Sequence, residues 1–414
     1  MSEDAATRHT QGRIASALRA SLGLAAGRKA WLKIHRYIGL TLGALFVLMG
    51  LSGSILAFRQ AIDERLNARL MQVQIPEQSA YRPLDEILTA AKAVAPMESL
   101  PERLTMPRHE GLAASVTFIA MGDDGQTDAY EVLIDPYRAK VTGQRVLMHG
   151  DRRLSQPLIR ILMDFHWTLL LGPNKAYLIG IAAMFLFVSL IAGLYLWWPR
   201  NGNWRQALTV KWNATPERIT QDLHKAIGLY LCIALMMSLF TGMAMIFKPQ
   251  TRALVGLMSR VRQEPQNAKS RPLPGRPPIS LDAAVAAANA VFPDGRLHWI
   301  LLPASPKGVY TVGKQADSEP NRSITNRNVT VDQYSGAVLH VEDRENYSAG
   351  ERFLEWLYPL HCGEAFGNPG RALISIIGLA PLALFTTGFL RWRQRRGARK
   401  AGREVTFRQK SASR

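Results

Sequence analysis

The chain has very little cysteine: two residues, Cys232 and Cys362, among 414. A disulfide framework, a zinc site built on paired cysteines and the C-x-x-C-H attachment of c-type haem are therefore all excluded. Any haem held by this chain would be bound non-covalently. The long loops also contain no H-E-x-x-H, Ser-His-Asp or phosphate-loop pattern, so nothing in them indicates a hydrolase or an ATPase.

Acidic residues are also scarce, since 51 Lys and Arg face only 32 Asp and Glu, a formal net charge of +19. The excess is concentrated in residues 1–36, 199–225 and 391–414, which hold seven, five and ten Lys or Arg but only five Asp or Glu. Nucleic-acid binding would explain a basic protein, but basic segments placed between apolar runs follow the positive-inside rule. We therefore expect both termini and the 199–225 loop to be cytoplasmic, facing acidic lipid headgroups, with no nucleic-acid partner.

Four runs carry no charge at all: Ile38–Phe58, Ala176–Trp198, Ala226–Phe247 and Ala372–Leu390. Each is 19 to 23 residues long, and about 20 residues cross a bilayer core as a helix. The first run is longer than the apolar core of a signal peptide, so we expect it to be retained. The sequence predicts an integral membrane, mainly α protein with a four-helix transmembrane bundle.

The predicted organisation alternates membrane helices with two outer domains. Each outer loop contains an amphipathic helix ended by proline and then alternating, strand-like runs, which predicts a small α+β domain. The predicted order is a cytoplasmic tail (1–36), transmembrane helix 1 (37–59), outer domain 1 (60–157), a pre-helix with transmembrane helix 2 (158–198), a cytoplasmic loop (199–223), transmembrane helix 3 (224–248), outer domain 2 (249–350), a pre-helix with transmembrane helix 4 (351–390) and a basic cytoplasmic tail (391–414).

The chain contains two copies of one unit. "HRYIGLTLG" at His35 pairs with "HKAIGLYLC" at His224, an offset of 189 residues. "LMDFHWTLLLGP" and "LYPLHCGEAFGN" align at an offset of 195, which pairs His166 with His361. The outer loops align at an offset of 197, where "LDEILTAAKAVAP" matches "LDAAVAAANAVFP". Two units of the same topology are parallel repeats related by an axis along the membrane normal.

Four histidines therefore occupy repeat-equivalent positions, His35 with His224 and His166 with His361. A pseudo-two-fold axis brings equivalent side chains together, and two facing imidazoles are the axial ligands of a six-coordinate haem. One pair per membrane face predicts two haem b groups, one above the other across the bilayer, with the four histidines as ligands of the haem irons. From the spacing alone, a divalent-metal site and a proton relay are alternatives.

Basic residues near the apolar runs are predicted to neutralise the haem propionates, Arg36 and Lys225 on the cytoplasmic side and Arg59 and Lys248 on the outer side. Arg36 and Lys225 also fit the ordinary positive-inside pattern. No catalytic residue distinct from the haem ligands is predicted. Four other histidines have no repeat counterpart and are expected on the protein surface: His109, His149, His298 and His340.

The unit of helix, outer domain and helix, opened by "WLKIHRYIGL" and repeated in tandem, resembles the PepSY-associated transmembrane family of bacterial inner-membrane proteins over about residues 30–395. The resemblance implies that the outer domains are PepSY-like and periplasmic. It also implies that the family's haem-ligating positions fall on His35, His166, His224 and His361. Members include ferric-siderophore reductases and iron-regulated membrane proteins, which implies iron reduction in the periplasm. Some relatives carry a fused cytoplasmic flavin reductase module; for this chain we expect the donor to be a separate protein or the quinol pool.

The resulting expectation is an oxidoreductase, a di-haem b protein of the bacterial inner membrane. It would take electrons from quinol or a separate cytoplasmic flavin reductase and reduce a periplasmic ferric siderophore, or another ferric complex, to release Fe(II). A siderophore or iron transporter and a PepSY-type regulatory membrane protein without a cofactor are the alternatives. Against a transporter, four spans are few, and the sequence predicts no acidic or broken-helix site at mid-membrane. A regulator requires a protein partner and leaves the four histidines unexplained.

Overall fold

The computed structural model describes residues 27–412 except 78–79, 123–124, 151–155, 201, 263–267 and 317–318. The chain divides into two compact units. The helical unit contains the described residues up to Ser54, then Tyr177–Ile246 and the chain from Leu373 onward. The sheet unit contains Ile55–Ala176 and Phe247–Ala372. Each unit therefore takes its elements from both repeats.

Most helices of the first repeat recur in the same order in the second, whereas α4 and α8 have no counterpart. They are α1 (Gly27–Thr41), α2 (Gly43–Leu56), α3 (Arg59–Leu66), α4 (Ala68–Met71), α5 (Leu84–Lys92), α6 (Leu158–Thr168), α7 (Ala176–Trp197), α8 (Trp204–Leu208), α9 (Pro216–Tyr230), α10 (Cys232–Ile246), α11 (Lys248–Gly256), α12 (Leu281–Val291), α13 (Ala349–His361) and α14 (Gly367–Ala412).

Among the described residues, two helical stretches are long and apolar enough to cross a membrane without a sharp break, Leu158–Trp197 and Glu364–Ala398. The other two predicted spans are bent. The axes of α1 and α2 differ by 58°, and those of α9 and α10 by 57°. The predicted four-helix transmembrane bundle is therefore wrong, because two of its four helices are pairs of shorter helices.

Both bends occur at the same place in the repeat. They lie at Leu42 and Leu231, each seven residues after the opening histidine and separated by the offset of 189 residues. At the first bend the Thr41 hydroxyl donates to the Tyr37 carbonyl at 2.8 Å, a side-chain bond that often bends helices. At the second, Leu231 has φ −101° and ψ 1°, outside the helical range. Hydropathy does not reveal either bend, because the residues around it are uncharged.

Eight strands form one antiparallel sheet in the order β4-β3-β2-β1-β5-β6-β7-β8. The first repeat contributes four strands and the second repeat four, and they join where β1 pairs with β5 through Leu104 and Ile300. The expectation of a separate α+β domain in each repeat is therefore corrected to one shared sheet. The strands are β1 (Leu100–Thr105), β2 (Ala114–Met121), β3 (Thr127–Asp135), β4 (Lys140–His149), β5 (Arg296–Leu301), β6 (Val309–Gln315), β7 (Arg327–Asp332) and β8 (Val338–Asp343).

A single apolar core explains why the two halves join. Ile87 of α5 and Ala284 of α12 belong to one buried cluster with strand residues from both repeats. The two helices also cap each other, since Asp282 Oδ1 accepts the Leu84 N–H at 3.1 Å and Asp85 Oδ1 accepts the Leu281 N–H at 3.0 Å. Asp85 and Asp282 are equivalent in the repeat, so the caps are exchanged about a pseudo-two-fold axis. Pairing β1 with β5 also removes two exposed sheet edges.

His298 is the one unpaired histidine whose predicted surface position is clearly wrong. It lies on β5 and is only 7% exposed, where the ladder is irregular between Leu297 and Trp299. Burial, with added repulsion from Arg296 and Arg103, lowers the pKa of His298 to about 4. The side chain is therefore neutral at pH 7 and packs as a buried residue of the sheet.

Candidate functional site

The structure brings His35 and His224, called here the inner pair after their predicted side of the membrane, together in the helical unit. Their ring centroids are 6.1 Å apart and the ring planes make an angle of 74°. His35 lies on α1 and His224 on α9, so each belongs to the shorter helix that precedes a bend. The bends therefore set the direction of the two helices that carry this pair.

His35 is held through its Nδ1 atom by α7. Nδ1 lies 2.8 Å from the Ser189 carbonyl oxygen and 3.1 Å from the Ser189 hydroxyl. A carbonyl oxygen only accepts hydrogen bonds, so this contact places the ring proton on Nδ1. The Nε2 atom then carries the free lone pair of a neutral imidazole, the form that binds metals.

His224 is held in the same way by α14. Its Nδ1 atom lies 2.9 Å from the Thr387 hydroxyl oxygen. That hydroxyl donates its own proton to the Ala383 carbonyl at 2.7 Å, so it acts as an acceptor toward His224. The hydrogen bonds therefore favour the same tautomer in both histidines, and each ring is fixed by the second membrane helix of its own repeat.

Two repeat-equivalent glycines leave room for these rings. A Cβ atom at Gly193 would lie 3.1 Å from Cε1 of His35, and one at Gly388 would lie 3.3 Å from Cε1 of His224. A larger residue at either position would require the imidazole to shift by a few tenths of an ångström. Gly193 lies on α7 and Gly388 on α14, one turn beyond Ser189 and next to Thr387 respectively.

The second pair, His166 and His361, is called the outer pair after its predicted side of the membrane. It lies in the sheet unit. The ring centroids are 6.2 Å apart and the planes make an angle of 57°. His361 is the last residue of α13, and His166 lies within α6. A turn follows α6 and has left-handed backbone at Leu169 (φ 54°) and Leu170 (φ 61°).

Cations predicted near the outer pair have definite partners. The Arg59 guanidinium donates to the Ser323 hydroxyl at 3.1 Å and lies 5.7 Å from the centre of the Tyr358 ring. The Ser323 hydroxyl in turn donates to the buried Glu364 carboxylate at 3.0 Å. Burial raises the pKa of Tyr358 to about 12, so this phenol stays neutral. Tyr358 and Glu364 flank His361 at three residues on either side. Lys248 opens α11.

The cations predicted beside the inner pair are also engaged. Lys225 forms an ion pair with Asp222 at 2.8 Å, and the same carboxylate binds Arg218 at 2.8 Å. Asp222 is almost fully buried at 1% exposure. Arg36 stacks over the Tyr37 ring at 5.1 Å. Lys225 therefore already neutralises one buried carboxylate, which weakens the assignment of Lys225 to a propionate.

Sequence reasoning missed four residues that contact or adjoin the pairs: Ser189, Thr387, Glu364 and Arg371. Ser189 and Thr387 are not equivalent at the offset of 195 residues, so the repeat could not identify them. Gly193 and Gly388 are equivalent at this offset. This match could have indicated which face of α7 and of α14 carries the hydrogen-bond partners of the histidines.

The donor set suits a metal whose other ligands come from a cofactor. Each pair offers two imidazoles, and within the described residues no group of three or more His, Cys, Asp or Glu is arranged to hold a bare metal ion. Two imidazoles fill the two axial positions of a haem iron, whose other four ligands are supplied by the macrocycle.

Comparison with known families gives one match. Residues 32–395 match the family described as the PepSY-associated TM region. The match covers most of the chain and includes all four paired histidines, both bends and the whole sheet. A search of curated proteins finds no significant match. The family match and the apolar helices together indicate a membrane protein.

Proposed function

The chain belongs to the PepSY-associated transmembrane family, and on that premise we propose that it is a di-haem b electron-transfer protein that reduces a ferric complex. The observation that carries the proposal is the equal spacing of the two histidine pairs, 6.1 and 6.2 Å between ring centroids. When two imidazoles bind the same metal from opposite sides through Nε2, at about 2.0–2.1 Å each, their ring centres lie roughly 6 Å apart.

The residues present fit haem b. All four histidines are repeat-paired, and at the inner pair both Nδ1 atoms bind oxygen acceptors, so the Nε2 atoms are available as ligands. Haem b held by two histidines supplies a one-electron Fe(III)/Fe(II) couple. The two cysteines cannot form the C-x-x-C-H motif of covalent attachment. His35 and His224 would hold one group, and His166 and His361 the other.

The chain's own residues would orient the ligands and tune them. The Ser189 carbonyl and the Thr387 hydroxyl accept the Nδ1 protons, which fixes the rings and increases the basicity of Nε2. Gly193 and Gly388 keep backbone rather than side chain beside the rings. The surrounding helices exclude water, because α7 and α10 contain no charged residue.

The proposed direction of transfer is outward through the bacterial inner membrane, with both termini cytoplasmic and the sheet unit in the periplasm. It rests on the basic residues of 1–36, 199–225 and 391–414, which the positive-inside rule assigns to the cytoplasm. The electron donor would be quinol or a separate cytoplasmic flavin reductase, and the acceptor a ferric siderophore or similar complex. Hard oxygen ligands hold Fe(II) less strongly than Fe(III), so reduction releases the iron.

The test is the visible spectrum of the full chain purified in detergent, air-oxidised and then reduced with dithionite, with haem counted as the pyridine haemochromogen. We expect two low-spin b haems per chain. A protein that is isolated without haem and does not take it up would overturn the proposal.

Replacing Thr387 by valine is expected to weaken haem retention at the inner pair by about 10–100-fold, the usual effect of losing the partner of a ligating histidine. The cause is that His224 Nδ1–H loses its closest acceptor, the Thr387 hydroxyl, while the side-chain shape is kept. The measurement is the rate of haem transfer to apomyoglobin. Thr387→Ser should restore retention, and Ser189→Ala should have little effect because the Ser189 carbonyl still accepts from His35. Unchanged retention in Thr387→Val would remove Thr387 from this role.

A further inference from the structure

A cavity of about 330 Å³ opens in the sheet unit close to the outer histidine pair. Its lining includes Glu319, Arg322, Glu364, Asn368 and Arg371. Glu364 is three residues beyond His361, and three residues span at most about 10–11 Å of chain. A molecule in this cavity would therefore lie within electron-transfer reach of the His166–His361 pair.

The two carboxylates of the cavity are already satisfied by the protein. Glu364 pairs with Arg371 at 2.8 Å and accepts a hydrogen bond from Ser323. Glu319 is only 2% exposed, and its carboxylate accepts the backbone N–H groups of Ala316 and Asn326 at 3.1 and 3.3 Å. Burial also raises the pKa of Glu319, which disfavours its charge. These carboxylates are therefore poor ligands for an incoming cation.

Two arginines of the region are paired with carboxylates, Arg371 with Glu364 and Arg108 with Glu64. Arg322 is exposed at the cavity and forms no ion pair with another residue in the described part of the chain. Arg59 is joined to Glu364 through Ser323. Burial, together with repulsion from Arg371 and Arg59, lowers the pKa of Arg108, which shows that these three cations act on one another. Gly367 and Asn368 begin α14, so the positive end of that helix dipole also faces the cavity.

We propose that this cavity binds the carboxylate oxygens of a small polycarboxylate chelate of ferric iron, with Arg322 as the principal cation, and that this chelate is the electron acceptor. The inference rests on the proposed function. The volume lies at the lower end of the range for small-molecule sites, about 300–1,000 Å³, so it suits a compact chelate better than a large siderophore. In the step itself one electron passes from the reduced protein to Fe(III), giving Fe(II), and no covalent bond of the chelator breaks.

The experiment is equilibrium dialysis of the full chain in detergent against ⁵⁵Fe(III)-citrate, with iron-free citrate as competitor. Arg322→Gln is expected to bind the ferric chelate about tenfold more weakly, the effect of losing one charge-assisted contact. Asn368→Trp, which fills the cavity without changing its charge, is expected to abolish binding. Arg276→Gln is the matched control, because Arg276 is an exposed arginine of the same unit that does not line the cavity.

Unchanged affinity in both Arg322→Gln and Asn368→Trp would overturn the site. Equal affinity for iron-free citrate would overturn its assignment to a ferric chelate. Because dialysis does not require haem, the two proposals fail separately. A haem-free chain that binds ⁵⁵Fe(III)-citrate through Arg322 would keep the binding site and overturn the reductase. A haem-loaded chain that reduces ferric citrate equally fast with and without Arg322 would keep the reductase and overturn this acceptor site.

Discussion

Replacement of His361 by alanine is expected to lower the haem content of the purified chain from two to about one per chain, since a bis-histidine site then keeps a single protein ligand. His224→Ala should remove the other haem, and the double variant should contain none. The pyridine haemochromogen gives the count, and the Soret and α bands show whether the remaining haem is low-spin. The effect is large because, within the described residues, no third His, Cys, Asp or Glu joins either pair as a possible metal ligand.

His340→Ala is the matched control for these variants, because His340 is a histidine of β8 that belongs to neither pair. It should keep both haems. Gel filtration and circular dichroism of every variant separate loss of a ligand from loss of the fold. A double variant that still holds two low-spin haems would contradict the assignment of the histidine pairs, and a haem lost from His340→Ala would show that haem content reports general stability instead.

The repeat in the sequence was sufficient to predict which histidines meet. An offset alignment identifies His35 with His224 and His166 with His361, and the structure places each pair in contact. Whether these pairs bind haem stays a prediction. The hydrogen-bond partners could not be derived in the same way. The closest oxygen differs between the two rings, the Ser189 carbonyl for His35 and the Thr387 hydroxyl for His224. A backbone carbonyl is present at every residue, so the sequence cannot show which one accepts a hydrogen bond.

The bends and the shared sheet were beyond sequence reasoning for two physical reasons. Leu42 and Leu231 lie in uninterrupted apolar runs, and hydropathy measures whether a segment enters a membrane rather than whether it is straight. The pairing of β1 with β5 joins strands almost 200 residues apart. Alternating patterns predict each strand but not its neighbour across the repeats. The mutual caps of Asp85 and Asp282 were likewise invisible, although the two aspartates do align.

The buried Glu364 illustrates a different difficulty. It stands in "HCGEAFGN", where flanking glycines suggest an exposed turn, and its repeat counterpart is Leu169. The structure buries its side chain to 1% exposure because Arg371, one turn into α14, returns to pair with it. A charged residue in a glycine-rich turn is ordinarily solvated, so only the tertiary contact reveals that this one is part of the wall beside His361.

The contact between α2 and α14 predicts the second large effect, a loss of thermal stability in Gly50→Val. A Cβ atom at Gly50 would lie 2.3 Å from the Gly378 carbonyl oxygen, and that backbone oxygen cannot rotate away as a side chain can. Ser54 and Ser375 hold the same contact, each hydroxyl donating to the other residue's carbonyl at 2.8 Å. Helices in lipid pack through such small residues because no hydrophobic effect draws them together. Overpacking a close contact costs about 1–3 kcal/mol or more.

Because α14 also carries Thr387 and Gly388, separating α2 from α14 should disturb the helix that holds His224. Gly50→Val is therefore expected to lower the melting temperature and to lose the inner haem, the one held by His35 and His224, before the outer one. Gly397→Val is the matched control, since Gly397 lies in α14 and no described atom outside its own helix lies within 4 Å of its Cβ position. It carries the same change in side chain and the same small gain in helix propensity, of under about 1 kcal/mol. Equal melting temperatures for the two variants would mean that the helices do not meet at Gly50.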